Sequence, residues 1–236
     1  MKIILTKKPK NPTIIEGFPG FGLVGTITTE YLINTLNAKK IGLIYTEEIQ
    51  PMVAIHEGKM VSPIGIYHDE KTNLVILHIM TNVKGIEWEM GDFLLQLGQE
   101  LKATELISIE GVGTPVPTEE SKAYHYSNAN DSHKKFLAAK IPLLQEGIIL
   151  GVTATLLLQA KDFNVSCIFI ETHSSLPDSK ASAKAIEVLD KYLDLKIDYK
   201  PLLAEAEKFE KKIRSIMEQG EMAKVQAEKK NLSYVG

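Results

Sequence analysis

A length of 236 residues, 44% of them hydrophobic and 24% charged, suffices for one domain with a full core plus an appendage, and excludes wholesale disorder. The formal net charge of −3 gives no electrostatic pull toward nucleic acid or a membrane surface, so neither is expected as a partner. Arg214 is the sole arginine among 27 basic residues; this weighs against a phosphate-dense site, or reflects a lysine-favouring genome.

Cys167 is the single cysteine, which rules out an intrachain disulfide and a multi-cysteine metal cluster. Inside the apolar run 165–170 it reads as a buried, inert thiol. The apolar stretch 148–158 is too short to span a bilayer, and the first five residues are too short for a signal segment. A cytoplasmic protein is therefore expected.

In chain order, residues 13–16 are predicted as a short strand closed by the turn Gly17-Phe18-Pro19-Gly20-Phe21-Gly22. A helix over 23–36 follows, with Leu23, Ile27, Tyr31 and Leu32 on one face, and then a buried-type strand over 41–45. This βαβ pattern favours a parallel pair joined by a right-handed crossover. Short strands at 52–56, 59–61, 64–68 and 74–80 suggest antiparallel hairpins attached to the parallel core. A helix over 88–101 directs Phe93, Leu94, Leu97 and Leu101 inward. A strand at 105–110 gives way to a loop over 111–117, where Pro115 and Pro117 bar a central strand. Tyr124-His125-Tyr126 reads as a short edge strand, 147–161 as an apolar helix, 165–170 as the last core strand and 178–193 as an amphipathic helix capped by Asp178. The expected fold is a three-layer α/β/α domain with a mixed central sheet over residues 1–198.

Residues 199–236 are expected to form a long C-terminal helical extension with a flexible end. Pro201 opens the helix, and Leu202, Ala206, Phe209, Ile213, Ile216, Gly220, Ala223 and Ala227 follow in alternating steps of four and three. Leu202, Phe209, Ile213 and Ile216 are the substantial knobs of this seam, available to the domain itself or to a sister subunit. From Gly220 onward the seam thins to glycine and alanine, and projection away from the body is expected.

Gly20-Phe21-Gly22-Leu23-Val24-Gly25 matches G-x-G-x-x-G between a strand and a helix, with Glu47-Glu48 after the second strand. Gly20, Gly22 and Gly25 are thus candidate cofactor-binding residues of a nucleotide-binding enzyme or sensor. Against this, Pro19 removes an amide donor, Phe18 and Phe21 are large and apolar, and no second βαβ repeat follows. Close helix–strand packing explains the same glycines. His125 and His133 lack a third ligand at metal-site spacing. Glu171-Thr172-His173-Ser174-Ser175 has acid–base residue types at a strand end, although a polar loop leading to the Asp178 cap accounts for it equally. No catalytic residue, metal or cofactor is assigned.

Four segments together resemble the proteasome assembly chaperone family, in its archaeal branch and closest in type to the second subunit of the eukaryotic chaperone. They are Glu16-Gly17-Phe18-Pro19-Gly20-Phe21-Gly22-Leu23-Val24-Gly25, Gly111-Val112-Gly113-Thr114-Pro115, Gly147-Ile148-Ile149-Leu150-Gly151, and Glu171-Thr172-His173 leading to Pro177-Asp178. The resemblance spans about residues 13–198. It implies a phosphorylase-like fold without the enzyme's active site, self-association into a homo-oligomer or with a paralogue, and proteasome α-subunits or the core particle as partners. It also implies a docking tail. In some members the chain ends hydrophobic–Tyr–any residue and enters pockets between α-subunits. Tyr234, Val235 and Gly236 occupy that place here, with Tyr234 third from the end rather than second.

Overall fold

The computed structural model describes residues 1–56, 58–114, 121–172, 176–204, 208, 212, 215, 216 and 218–220. Its strands are β1 (Lys2–Leu5), β2 (Thr13–Gly17), β3 (Lys39–Tyr45), β4 (Ala54–His56), β5 (Lys59–Val61), β6 (Ile64–Asp69), β7 (Leu74–Ile79), β8 (Glu105–Gly113), β9 (Ala123–Ser127) and β10 (Val165–Thr172). The helices are α1 (Val24–Leu36), α2 (Glu87–Leu101), α3 (Asn130–Ala138), α4 (Gly151–Gln159), α5 (Ser179–Leu193) and α6 (Lys200–Ala204), with a 3-10 turn at Phe21–Leu23.

Eight strands form one sheet in the order β1-β3-β6-β7-β2-β8-β10-β9, and β4–β5 form a separate hairpin. The centre, β7-β2-β8-β10, is parallel. Antiparallel strands flank it on both sides, β6, β3 and β1 at one edge and β9 at the other. The central strands are apolar on both faces because both are covered. Ile15, Ile107, Ile109, Ile168 and Ile170 pack toward Ile27, Ile186 and Leu189 of α1 and α5. Their alternate neighbours Ile14, Leu106, Cys167 and Phe169 pack toward Leu94 and Leu97 of α2 and Leu156 of α4. Three α/β/α layers follow from this period of two.

Several expectations are corrected. The strands β2 and β3 run in the same direction but are not paired, since the β6–β7 hairpin lies between them. The segment 111–113, expected as loop, extends β8 through a parallel ladder with Ile170, Glu171 and Thr172. Glycine is required there: a Cβ on Gly111 would sit 2.0 Å from the Phe21 carbonyl oxygen. The apolar helix begins at Gly151 rather than residue 147, because Gly151 has a φ of +71°, outside the right-handed helical region. Strand β1 and helix α3 were not expected. The former is a four-residue edge strand against β3, and the latter buries the single side chain Phe136.

At the C-terminus Leu202 joins the α1–α5 core and Ile216 is buried, whereas Phe209 and Ile213 lie outside the described residues. Gly220 does not begin a projection: it is buried, with Met52 Sδ 2.8 Å from where a Cβ would stand. Lys212 makes an ion pair with Glu30 of α1. Burial works to raise the Glu30 pKa, but His78 and Lys212 overcome it and hold the carboxylate below its usual range. His78 Nε2 is 3.1 Å from Glu30 Oε2, without hydrogen-bond geometry, and its Nδ1 is 3.0 Å from Thr29 Oγ1. Tyr234, Val235 and Gly236 lie outside the described residues.

Candidate protein-binding site

The parallel strands β8 and β10 run on together past the end of β2, and the chain leaving β2 turns across them. In that turn Gly22 has a φ of +64° and Leu23 one of +49°. A Cβ on Gly22 would stand 2.7 Å from Thr172 Oγ1. One on Gly17 would stand 2.3 Å from the Gly25 carbonyl oxygen, and one on Gly25 2.7 Å from both Gly17 Cα and the Ile109 carbonyl oxygen. These glycines let α1 cross the sheet in backbone contact. The turn is tied to α5 as well: the Asp178 amide donates to the Gly22 carbonyl at 2.8 Å, and Thr172 Oγ1 donates to Asp178 Oδ2 at 2.7 Å. Asp178 Oδ1 caps α5 by accepting from the Ala181 amide at 2.9 Å, the role read from the sequence. Beside Gly20 a Cβ would lie 3.6 Å from Glu110 Oε1, so the turn faces a carboxylate where a dinucleotide fold needs room for pyrophosphate. Packing accounts for Gly22 and Gly25 without a nucleotide, whereas a Cβ on Gly20 would make only ordinary contacts.

The period of two places Glu16, Ser108, Glu110 and Glu171 on the face of the sheet that α4 covers. Glu16 is fully buried, and neither carboxylate oxygen has a hydrogen-bond partner. Burial pushes its pKa up to about 8; the nearby Ser108 hydroxyl opposes this, and the charge of Glu110 adds a smaller push upward. The Ser108 hydroxyl is itself engaged with Thr153 Oγ1 at 2.9 Å. Glu110 accepts from Thr153 Oγ1 at 2.8 Å, yet burial still raises its pKa to about 7. On β10, Glu171 Oε1 accepts from the Tyr124 hydroxyl at 3.1 Å, while Oε2 is buried without a partner. Glu16 is protonated at neutral pH and Glu110 titrates near it.

A cavity of about 590 Å³ opens over this strand edge, lined by Phe21, Glu110, residues 111–114, Tyr124, residues 143–150 and Glu171. Its rim is apolar and open to solvent: Ile148 is 88% exposed, Leu150 74% and Phe21 56%. Apolar side chains gathered around one opening mark a surface built for another molecule.

The remaining chemistry is sparse. Cys167 is buried, and burial raises its pKa well above the usual thiol value, as expected of an inert core cysteine. His125 Nε2 and His133 Nδ1 are 2.9 Å apart, and His125 stacks on Phe136. Among the described residues no group of three or more His, Cys, Asp or Glu side chains could hold a metal ion. Thr172 is engaged with Asp178, and His173, Ser174 and Ser175 lie outside the described residues. No described helix is long and apolar enough to cross a membrane.

The sequence reading missed Glu16 and Glu110 as buried acids and residues 147–150 as an exposed wall. The first left a trace: Ile14-Ile15-Glu16 and Ile107-Ser108-Ile109-Glu110 each carry a glutamate within an apolar strand run.

The fold and site are those of an α/β/α protein with a tightly packed glycine turn and an apolar-rimmed cavity at the ends of its central strands. The chain belongs to the PAC2 family, which it matches over residues 14–217. It is similar to the crystal structure of Pyrococcus furiosus PbaA, an archaeal homolog of proteasome-assembly chaperone, at a TM-score of 0.85 and 28% identity, covering 94% of this chain and 99% of that one. The fold is shared with P. furiosus PbaB, an archaeal proteasome activator, at a TM-score of 0.76 and 24% identity, covering 91% and 98% of the two chains. An uncharacterized Methanocaldococcus jannaschii protein, MJ0106, is 26% identical over 212 residues, covering 89% of this chain and 87% of that protein. The family resemblance read from the sequence motifs is thereby borne out.

Proposed function

We propose that this chain is a non-catalytic, cytoplasmic protein-binding factor in proteasome assembly, which holds proteasome α-subunits or the core particle. The likeness to PbaA over nearly the full length of both chains carries the reading. The exposed rim of Ile148, Leu150 and Phe21 supports it, since apolar groups around a cavity favour a protein partner. The inert Cys167 and the internal pairing of Thr172 with Asp178 fit a non-catalytic role. Self-association is part of the proposal, because repeated weak contacts around a homo-oligomer gain by avidity.

The test is retention on the immobilised chain of purified α-subunits and of assembled core particles from a proteasome-bearing archaeon. Retention of either, by a sample whose mass exceeds the 26.2 kDa of one chain, is expected. A monomer that retains neither contradicts the proposal.

A further inference from the structure

We propose that the cavity at the ends of β8 and β10 is a receptor for one basic side chain, a lysine or arginine carried on an apolar-flanked segment of a partner protein. The inference rests on reading the chain as a protein-binding factor and supplies the chemistry of what it binds.

The described lining carries Glu110, Glu146 and Glu171 and contains no lysine, arginine or histidine. That composition repels phosphate and carboxylate groups and attracts a cation. The Glu171 carboxylate adds a specific vacancy for a donor: Tyr124 satisfies Oε1, and Oε2 is buried with no partner. A buried acceptor left unmet is costly, and an incoming ammonium or guanidinium N–H meets it with a charge-assisted bond. Phe21, exposed on the rim, offers an aromatic face at the mouth, where a cation is further stabilised.

A metal ion is a poorer occupant, because the described residues provide no set of three ligating side chains. A free amine would use the carboxylates but not the rim. Ile148 and Leu150 are the most exposed large apolar side chains of the described residues, and they line the same cavity as the acids. An acidic floor within an apolar rim is complementary to a cationic side chain flanked by aliphatic ones, which a peptide segment presents together.

The experiment titrates the full chain against two fluorescein-labelled peptides, Leu-Ile-Lys-Leu-Ile and the same peptide with norleucine in place of lysine, read by fluorescence anisotropy. The lysine peptide is expected to bind at least about tenfold more tightly. The Glu110→Gln/Glu171→Gln variant should bring the two peptides to parity, with Glu171→Gln alone moving part of the way. Ile148→Ser, which removes apolar rim without adding charge, should weaken both peptides alike. Circular dichroism on each variant establishes that it is folded, and the milder Glu171→Gln keeps the test open should the double variant unfold.

Equal affinity for the two peptides, binding of neither at millimolar concentration, or a lysine preference undiminished in a folded Glu171→Gln variant overturns the proposal. So does an Ile148→Ser variant that splits an oligomer without altering peptide affinity, since the rim is then the seat of a second copy. Loss of α-subunit retention with the lysine preference intact would defeat the proteasome reading and leave the receptor standing.

Discussion

Replacing Glu16 by glutamine removes an ionisable group from a site where it has no hydrogen-bond partner. In the unfolded chain this carboxyl titrates at its ordinary value of 4.5, and in the folded protein at about 8. Between those values the folded state holds a proton that the unfolded state has released, so stability falls as pH rises. The contribution is fully present below pH 4.5 and is lost progressively until pH passes about 8. At ~1.4 kcal/mol per pH unit, the interval from 4.5 to about 8 amounts to roughly 5 kcal/mol. A buried glutamine amide without a partner costs ~1–3 kcal/mol, but that cost does not change with pH.

Urea denaturation of the wild type and Glu16→Gln at pH 5, 6, 7 and 8 separates the two effects. The variant should gain on the wild type by ~3–4 kcal/mol across this range. Parallel stability curves, with a difference independent of pH, would refute the assignment of Glu16 as a protonated buried acid.

Gly25→Ala places a methyl group against Gly17 Cα and the Ile109 carbonyl oxygen, and should lower stability by ~2 kcal/mol or more in chemical denaturation. Because packing accounts for the glycine turn, ATP, a nicotinamide cofactor and a nucleoside, each at millimolar concentration, are expected to leave the melting temperature unchanged; a rise with any of them would revive Gly20, Gly22 and Gly25 as a nucleotide site. Deleting residues 232–236, which removes Tyr234, Val235 and Gly236, should weaken core-particle binding while leaving oligomer size alone, as read by pull-down and mass photometry. Unchanged binding would eliminate the tail from the docking mechanism.

Much of the sheet was legible because its strands are short apolar runs bounded by turn residues, and α2 and α5 because their buried positions recur at helical spacing. Pairing was less so. The separation of β2 from β3 depends on where the β6–β7 hairpin inserts, which nothing local to residues 13–45 encodes. Residues 147–150 misled because an apolar run reads alike whether buried in a helix or exposed around an opening; only the positive φ of Gly151 divides them. The cavity was illegible for a related reason. Glu110, Glu171 and Ile148 are brought together by the parallel β8–β10 ladder and the chain entering α4, not by any spacing along the chain.

Native mass spectrometry of the chain mixed with purified proteasome α-subunits tests the central claim most directly. The account predicts a defined complex that contains both proteins at fixed stoichiometry and that carries more than one copy of this chain. Spectra containing only the separate components, across conditions in which the α-subunits are folded, would contradict it.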